Sequence, residues 1–557
     1  MKASFSIFFK SLSIFLTIFL FVINSSAQDD KKVFTRQDTV RGTLSAERAC
    51  FDVLFYDLNI RVNPKEKSIK GFNRIKFLVV NDFNKIQLDL FENLKITKIT
   101  QSGKELKFKR EGNAFFVDFS QTQKKGKTEE VTVFYEGKPT IANNPPWDGG
   151  FTWRKDVNGN DWIGVSCEGI GASIWWPNKD HLSDEPDSMK ISCEVPSNLM
   201  CVANGNLKKQ TKLKDGYTKY DWHVSYPINN YNVSLNIAEY AHFNDTFKST
   251  IDGTILQLDY YVLPENLTKA KKQFQQVKPM LECYEKYLGK YPFWNDGYAL
   301  VETPYLGMEH QSAVAYGNQY KNGYLGRSLT NYPMDFDYII IHESGHEWWG
   351  NLISMKDAAD MWIHESFCTY TEGLYVECMK GKTESYKYWA AYIPTIQNDR
   401  PIIGIYGVNY DGSSDMYPKG AVMLHTIRNV VDNDDLWFAT IKGLLENFKY
   451  KTVTSDEVIS YINKKTGKDL TPIFDQYLKY RYPPTLVYKI EQKNDKVLLT
   501  YHWKADVKDF KMPIKVGFGN EYHWITPSSQ TQSIELIGNA ADFKIATDMF
   551  YMFLERL

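Results

Sequence analysis

The chain has 557 residues, more than a single hydrophobic core normally organises, so several domains are expected. Its 66 basic and 67 acidic side chains nearly cancel and no basic run stands out, which argues against a nucleic-acid-binding surface. Hydrophobic residues make up 43% and charged residues 24%, as in ordinary globular proteins, and the aromatic share of 15% favours β-sheets.

The first 27 residues differ from the rest of the chain. Lys2 and Lys10 provide a basic start, residues 11–23 are almost wholly apolar, and small residues lead up to Ala27. The apolar stretch is shorter than the roughly 20 residues of a membrane-spanning helix, which is typical of an export signal, here cleaved after Ala27. A retained anchor is the alternative. We expect an exported protein, periplasmic or extracellular, with no membrane span in the mature chain.

Residues 28–252 are predicted to form an antiparallel β domain. From about Val40 to Asp252, short runs alternate apolar and polar side chains, as residues 86–90 do, and turns rich in Gly, Asn and Lys separate them. No helical period of useful length competes with this alternation.

Residues 253–482 are predicted to be mostly helical. Helical spacing runs from Leu267 to Gly289, where a glycine ends it, and a small strand section is expected near 299–312. Further helices are predicted near 336–349, 361–379, 419–431 and 436–448, after Ser455, and from Thr471.

Alternation returns after the Pro483-Pro484 pair, so residues 483–557 are predicted to form a small β sandwich. The expected fold class is therefore α+β and multidomain. The chain carries seven cysteines, an odd number that excludes a fully paired disulfide framework. Cys193 and Cys201 are candidates for a disulfide, and the cysteines are mostly expected to be buried and inert.

Residues 339–349 (Ile-Ile-Ile-His-Glu-Ser-Gly-His-Glu-Trp-Trp) contain the pattern typical of a zinc-binding helix. His342 and His346 are four residues apart, so both imidazoles project from one helix face and can reach a single Zn²⁺. Glu343 lies about 100° around the helix, where it is placed to take a proton from a water. The preceding isoleucines predict a buried helix, which argues against solvated surface histidines.

A catalytic zinc normally has three protein ligands and one open position. The next predicted helix begins near Trp362 and carries Glu365, nineteen positions after His346. Glu365 is the preferred third ligand, and His364 is the rival candidate, pointing about 100° away from its neighbour.

With these motifs in place, the sequence resembles the gluzincin zinc aminopeptidases, the family that includes aminopeptidase N and leukotriene hydrolase. Residues 342–372 are similar to the zinc signature of that family, and the resemblance extends over nearly the whole mature chain. It implies a thermolysin-like catalytic domain, one Zn²⁺ held by His342, His346 and Glu365, and Glu343 as the general base.

A second family motif, Gly-x-Met-Glu-Asn, is similar to residues 306–310 (Leu-Gly-Met-Glu-His). The resemblance implies that Gly307 and Met308 contact the substrate and that Glu309 binds its free amine. Leu306 and His310 depart from the motif, which puts the backbone path and the substrate-side hydrogen bonds in question.

Two further segments resemble family motifs. Residues 166–168 (Ser-Cys-Glu) are similar to a Gln-x-Glu segment, which makes Glu168 the second carboxylate on the amine, whereas Ser166 replaces the glutamine that shapes the first side-chain pocket. Residues 417–421 are similar to a motif whose tyrosine donates its hydroxyl to the tetrahedral intermediate, a role that falls to Tyr417.

Longer family members carry a large helical C-terminal domain, and this chain resembles a short form, since it stops at Leu557 after the predicted sandwich. We expect a cavity that is more open or is closed by a second subunit. A second copy of this chain, forming a homo-oligomer, is therefore a candidate partner.

The sequence as a whole predicts a zinc aminopeptidase acting on peptides with a free N-terminus. The rivals are an endopeptidase with the same zinc core, an epoxide hydrolase, which glutamate at position 168 disfavours, and a non-catalytic peptide-binding protein on the same scaffold.

Overall fold

The computed structural model describes residues 33–557, so the predicted export signal lies outside the described residues. Two short helices, α1 (Arg36–Gly42) and α2 (Ala46–Ala49), come first, where strands were expected from about Val40. Thr35 caps α1 through a capping box with Asp38, and Ser45 caps α2. These caps stabilise helices too short for a periodic pattern to reveal.

The next part of the chain is almost entirely strands. In chain order, β1 to β15 are Phe51–Asn63, Ser68–Val79, Phe83–Asp89, Leu94–Gln101, Lys104–Glu105, Lys107–Glu111, Ala114–Gln123, Thr128–Gly137, Gly150–Lys155, Asp161–Ser166, Ser188–Pro196, Met200–Val202, Asn206–Lys212, Tyr217–Val224 and Asn236–Ala238.

These strands form three sheets around one hydrophobic core. The largest has the order β13-β14-β11-β1-β2-β8-β4-β5, and the smaller ones have the orders β3-β7-β6 and β12-β15-β10-β9. Pairing is antiparallel except between β1 and β11, which run parallel. The predicted β domain is therefore confirmed, with one parallel pair that strand patterning did not reveal.

A five-stranded sheet leads into the helical part. It consists of β16 (Ala241–Lys248), β17 (Ile255–Val262), β18 (Tyr298–Glu302), β19 (Gly307–Met308) and β20 (Val314–Tyr316), in the order β16-β17-β18-β20-β19. Every residue of β18 is buried, and β19 lies at the sheet edge. The sheet joins strands on both sides of residue 252.

The helical part follows in chain order as α3 to α11: Leu267–Gln273, Val277–Tyr287, Tyr338–Gly345, Trp362–Lys380, Lys382–Tyr392, Pro418–Val431, Asp434–Phe448, Ser455–Thr466 and Thr471–Leu478. The helix expected over 267–289 is divided by a 3₁₀ turn at Phe274–Gln276. The helix expected over 336–349 is shorter and ends at Gly345. A small parallel pair, β21 (Ile353–Met355) and β22 (Lys451–Val453), lies beside these helices.

Seven strands complete the chain: β23 to β29 are Thr485–Lys493, Lys496–Lys504, Ile514–Phe518, Glu521–Ile525, Gln532–Ile537, Phe543–Ile545 and Phe553–Arg556 within the described residues. They form two sheets, β27-β24-β23-β29 and β26-β25-β28. Burial alternates along β24, so one face of its sheet packs on a core that is continuous with the helical part. The predicted α+β multidomain class with a terminal β unit is confirmed.

One disulfide joins two helices of the helical part. Cys283 of α4 is bonded to Cys378 near the end of α6, across a sequence separation of 95 residues. Cys193 and Cys201, the pair singled out from the sequence, are both buried and unbonded. Along residues 33–557, none of the helices has the length and apolar character needed to cross a membrane.

Candidate metal centre and substrate cavity

The zinc-signature helix, α5, is held at its start by Asp337. The Asp337 carboxylate accepts hydrogen bonds from the backbone N–H groups of Ile339 and Ile340, which stabilises the first turn. The isoleucine run is 0–2% exposed, so the helix is buried as its sequence predicted. His342 lies in the last turn, and His346 is the residue that caps the helix end.

Three buried donor atoms converge beside this helix. The Nε2 atoms of His342 and His346 are 3.3 Å apart, and Glu365 Oε2 lies 3.6 Å from the first and 3.4 Å from the second. The centre of a triangle with these sides is about 2.0 Å from each corner, which is the usual distance from Zn²⁺ to nitrogen and oxygen ligands. Among the described residues, no hydrogen bond satisfies the buried Glu365 Oε2. The donor set therefore fits a divalent metal.

The opposite ring nitrogens orient both imidazoles. His342 Nδ1 lies 2.6 Å from Glu372 Oε1, and His346 Nδ1 lies 2.8 Å from the Trp349 carbonyl oxygen. Both partners are acceptors, so each Nδ1 carries the proton and each Nε2 presents a lone pair to the shared point. Glu372 was not singled out from the sequence. Glu372 lies seven residues after Glu365, on the same face of α6, and this spacing is the sequence signal that could have identified it.

The rival donors are engaged elsewhere. His364 Nε2 accepts a hydrogen bond of 2.8 Å from the backbone N–H of Met355, and burial lowers the pKa of His364 to about 3. Cys368 also lies near both histidines, with ligand atoms within 4.8 Å of one another, but its thiol donates to the His342 carbonyl at 2.9 Å. Glu365 is thus the candidate third ligand with an unsatisfied donor atom.

Glu343 and Gly307 lie against each other beside the donors. Ligand atoms of Glu343, Glu309 and His346 lie within 4.8 Å of one another. A Cβ atom at Gly307 would be 2.8 Å from Glu343 Oε1, so edge strand β19 approaches this closely only because it has no side chain there. Burial raises the pKa of Glu343 to about 7.

Two carboxylates from different domains meet at one end of the site. Glu168 follows β10 of the N-terminal domain, and Glu309 follows β19 of the five-stranded sheet. Glu309 accepts a hydrogen bond of 3.0 Å from the Tyr231 hydroxyl, whereas Glu168 Oε1 is buried with no hydrogen-bond partner among residues 33–557. Burial and the neighbouring Glu309 raise the pKa of Glu168 well above its usual value. Such a pair is suited to a cation.

Tyr417 approaches the donors from a third direction. It lies between a 3₁₀ turn at Ser414–Met416 and helix α8, and its ring centroid is 6.1 Å from that of His342. Burial, reinforced by Glu365, raises the pKa of Tyr417 well above its usual value, so its hydroxyl remains a hydrogen-bond donor.

The nine residues given catalytic, metal-binding or substrate-binding roles from the sequence line one cavity of about 550 Å³. They are His342, His346, Glu365, Glu343, Tyr417, Glu309, Glu168, Gly307 and Met308. The metal donors, the acid pair and the tyrosine therefore face a common space of a size suited to a small ligand.

Comparison with known proteins places these observations in a family. The family model for the peptidase M1 N-terminal domain matches residues 53–231, and the model for the peptidase family M1 domain matches residues 272–477. Together they cover more than half of the chain.

Curated relatives are aminopeptidases of low sequence identity. A leucyl aminopeptidase of Saccharolobus solfataricus is 22% identical over 451 residues, covering 77% of this chain and 53% of the relative. Endoplasmic reticulum aminopeptidase 1 of Mus musculus is 20% identical over 345 residues, covering 59% and 35%. The chain spans about half the length of the curated relatives it matches.

Solved structures show the same fold. An M1 zinc metallopeptidase of Deinococcus radiodurans has a TM-score of 0.63 at 19% identity, covering 77% of this chain and 94% of that one. A mutant from the same organism, bound to a Tyr-Ser-Ala substrate, has a TM-score of 0.64 at 18% identity and covers 78% and 95%. From its two matched domains and this fold, the chain belongs to peptidase family M1.

Proposed function

We propose that the protein is a zinc-dependent aminopeptidase that hydrolyses the N-terminal residue from peptides. The observation that carries the proposal is one cavity holding both a three-donor metal site and a pair of neighbouring carboxylates, Glu168 and Glu309. A metal-dependent hydrolase needs the first, and recognition of a free amine is served by the second. The aminopeptidase names of the curated relatives support the same function.

His342, His346 and Glu365 would hold the metal. Two neutral imidazoles and one carboxylate carry a single negative charge, so a bound Zn²⁺ would keep a net positive charge. The Glu365 oxygen that lacks a hydrogen bond within the described chain supports occupancy by a cation. When bound, Zn²⁺ supplies Lewis-acid chemistry, which polarises a peptide carbonyl and makes a water acidic near neutral pH.

Glu168 and Glu309 would bind the ammonium group of the substrate. A dehydrated ammonium needs a paired anion, and these two carboxylates lie next to each other on the wall of the cavity. Binding the ammonium there fixes the first peptide bond beside Glu343. The same pair is of no use to an endopeptidase, so it supports exopeptidase action.

Glu343 and Tyr417 would carry out the proton transfers and the charge stabilisation. Glu343 takes a proton from the attacking water and returns it to the leaving amine. The Tyr417 hydroxyl donates a hydrogen bond to the oxyanion of the tetrahedral intermediate, a contribution typically worth about 2.7–4 kcal/mol.

The test is a panel of aminoacyl-fluorophore substrates assayed with and without a zinc chelator. Hydrolysis that the chelator abolishes and added zinc restores supports the proposal, as does failure to cut N-acetylated peptides. Glu343→Gln should retain zinc and lose turnover by orders of magnitude. Binding of peptides without turnover by zinc-loaded protein would instead identify a peptide-binding scaffold, and cutting of N-acetylated peptides an endopeptidase.

We also propose that the chain is exported, with residues 1–27 removed. The Cys283–Cys378 bond supports an oxidising compartment, since disulfides are rare in the reducing cytosol. Mass spectrometry of the protein isolated from its source should find a mature N-terminus at Gln28. A cytosolic protein that retains Met1 would contradict this proposal.

A further inference from the structure

The substrate cavity has a strongly uneven distribution of charge. Five carboxylic side chains line it: Glu168, Glu309, Glu343, Glu365 and Asp411. Arg400 is the only lysine or arginine among the described residues that line it. It belongs to the segment that precedes Tyr417, whereas the acid pair Glu168 and Glu309 belongs to the domain contact.

The backbone around Arg400 holds the guanidinium in place. Arg400 Nη2 donates a 2.7 Å hydrogen bond to the carbonyl oxygen of Gly412. Gly412 is itself tightly packed, because a Cβ atom there would lie 1.6 Å from the Ile402 carbonyl oxygen. The next residue, Ser413, donates its backbone N–H to the Pro401 carbonyl at 2.9 Å. The carbonyl that orients Arg400 is therefore part of a rigid loop contact.

Asp399 does not use all the hydrogen-bond donors of the Arg400 guanidinium. Asp399 Oδ2 lies 3.5 Å from Arg400 Nη1, and the two side chains are 40% and 47% exposed. An exposed pair at this distance contributes little. Asp399 also accepts a hydrogen bond from the Ser413 hydroxyl. The Arg400 fork thus keeps donors for a further carboxylate, the group its planar geometry matches best.

A short peptide bound in this cavity carries a charge at each end. Its ammonium pairs with Glu168 and Glu309 under the proposed function, so its carboxylate lies in the remaining space. The carboxylate is repelled by the acids that line the cavity and attracted by the one arginine. We propose that Arg400 binds a carboxylate on the leaving part of the substrate, the C-terminus of a short peptide, and thereby favours one short peptide length.

This inference rests on the proposed aminopeptidase function, and its test separates the two. Alanine peptides of two to five residues are assayed as free acids and as C-terminal amides, by measuring the release of alanine. At one length, we expect kcat/KM for the acid to exceed that for the amide by about five- to tenfold, as suits a half-exposed charge-assisted contact. At the other lengths the ratio should approach 1.

Variants identify the residue responsible. Arg400→Gln should bring the acid-to-amide ratio to about 1 at the favoured length, and Arg400→Lys should give an intermediate ratio, because it keeps the charge and loses the fork. The matched control is Arg154→Gln, which changes an exposed arginine on β9 outside this cavity and should keep the wild-type ratio. If Arg400 only anchors Gly412, none of these ratios changes.

The source of the carboxylate is identified with an amidated peptide of the favoured length that ends in aspartate. Turnover equal to that of the free acid shows that a side chain serves as well as the terminus; turnover equal to that of the neutral amide shows that the terminus is the ligand. Wild-type ratios within twofold of 1 at every length would overturn the inference even if Arg400→Gln fails to fold. A ratio that persists in folded Arg400→Gln would overturn it too. Failure to cut any peptide or aminoacyl fluorophore would instead overturn the proposed function.

Discussion

Glu372 offers a sharp test of how the candidate metal centre is oriented. Its side chain is fully buried, and Oε1 accepts a hydrogen bond of 2.6 Å from His342 Nδ1. Oε2 accepts hydrogen bonds from the hydroxyl groups of Tyr388 and Tyr392, and the bond from Tyr392 is 2.8 Å long. A carboxylate accepts from all three donors. In Glu372→Gln, the amide has one accepting oxygen, so its NH₂ group must face either His342 or the tyrosines.

The expected consequence is weaker metal binding. Loss of the partner that orients a histidine ligand typically reduces metal affinity about 10–100-fold. That range corresponds to about 1.4–2.7 kcal/mol at 25 °C. A buried donor left facing a donor also costs about 1–3 kcal/mol of folding stability, so the variant is compared at a temperature well below its unfolding transition.

Zinc affinity is measured by competition with a chromogenic chelator at neutral pH. Two controls accompany Glu372→Gln. Tyr388→Phe keeps the carboxylate and removes one hydroxyl donor, so its effect should be smaller. Glu384→Gln changes a half-buried glutamate at the start of α7, which pairs with Lys387, and should leave the affinity unchanged. A zinc affinity for folded Glu372→Gln within twofold of wild type would refute the assigned role of this carboxylate.

Three further outcomes are expected. Tyr417→Phe should lower kcat on aminoacyl fluorophores by about 10²–10³-fold with little change in KM, and an unchanged kcat would remove the tyrosine from oxyanion stabilisation. Replacing both Cys283 and Cys378 by serine should lower the free energy of unfolding in denaturant titrations by about 2–5 kcal/mol, since the bond closes a long loop; equal stability of the wild type and the variant would contradict this. Burial lowers the pKa of His425 to about 3, so below about pH 6.5 the unfolded chain binds a proton that the folded chain does not. The stability advantage of wild type over His425→Asn should therefore be complete above that pH and shrink by about 1.4 kcal/mol per unit as pH falls towards 3, and a pH-independent difference in unfolding titrations would exclude this linkage.

Features that depend on near neighbours in the chain were predictable from the sequence. The four-residue spacing of His342 and His346 places both on one side of α5, and the alternation along β24 gives it one buried face. The order of a β part, a helical part and a second β part follows from the same periodicities. Helix ends were less predictable: Gly345 ends α5 four residues before the expected position, because the chain must turn to bring Glu365 back to the histidines.

Other features depend on how distant segments pack, and only the tertiary structure decided them. Cys283 is bonded to Cys378, 95 positions away, because α4 lies against α6, and no spacing along the chain encodes that contact. The pairing of Glu168 with Glu309 across two domains followed in the sequence from family resemblance alone. Arg400 belongs to no motif, and it became distinctive only when folding made it the single arginine or lysine lining a cavity of acids within the described chain. Periodicity in the sequence predicts which side of a helix or strand is buried. The element that packs against that side is determined by how well the two surfaces fit together.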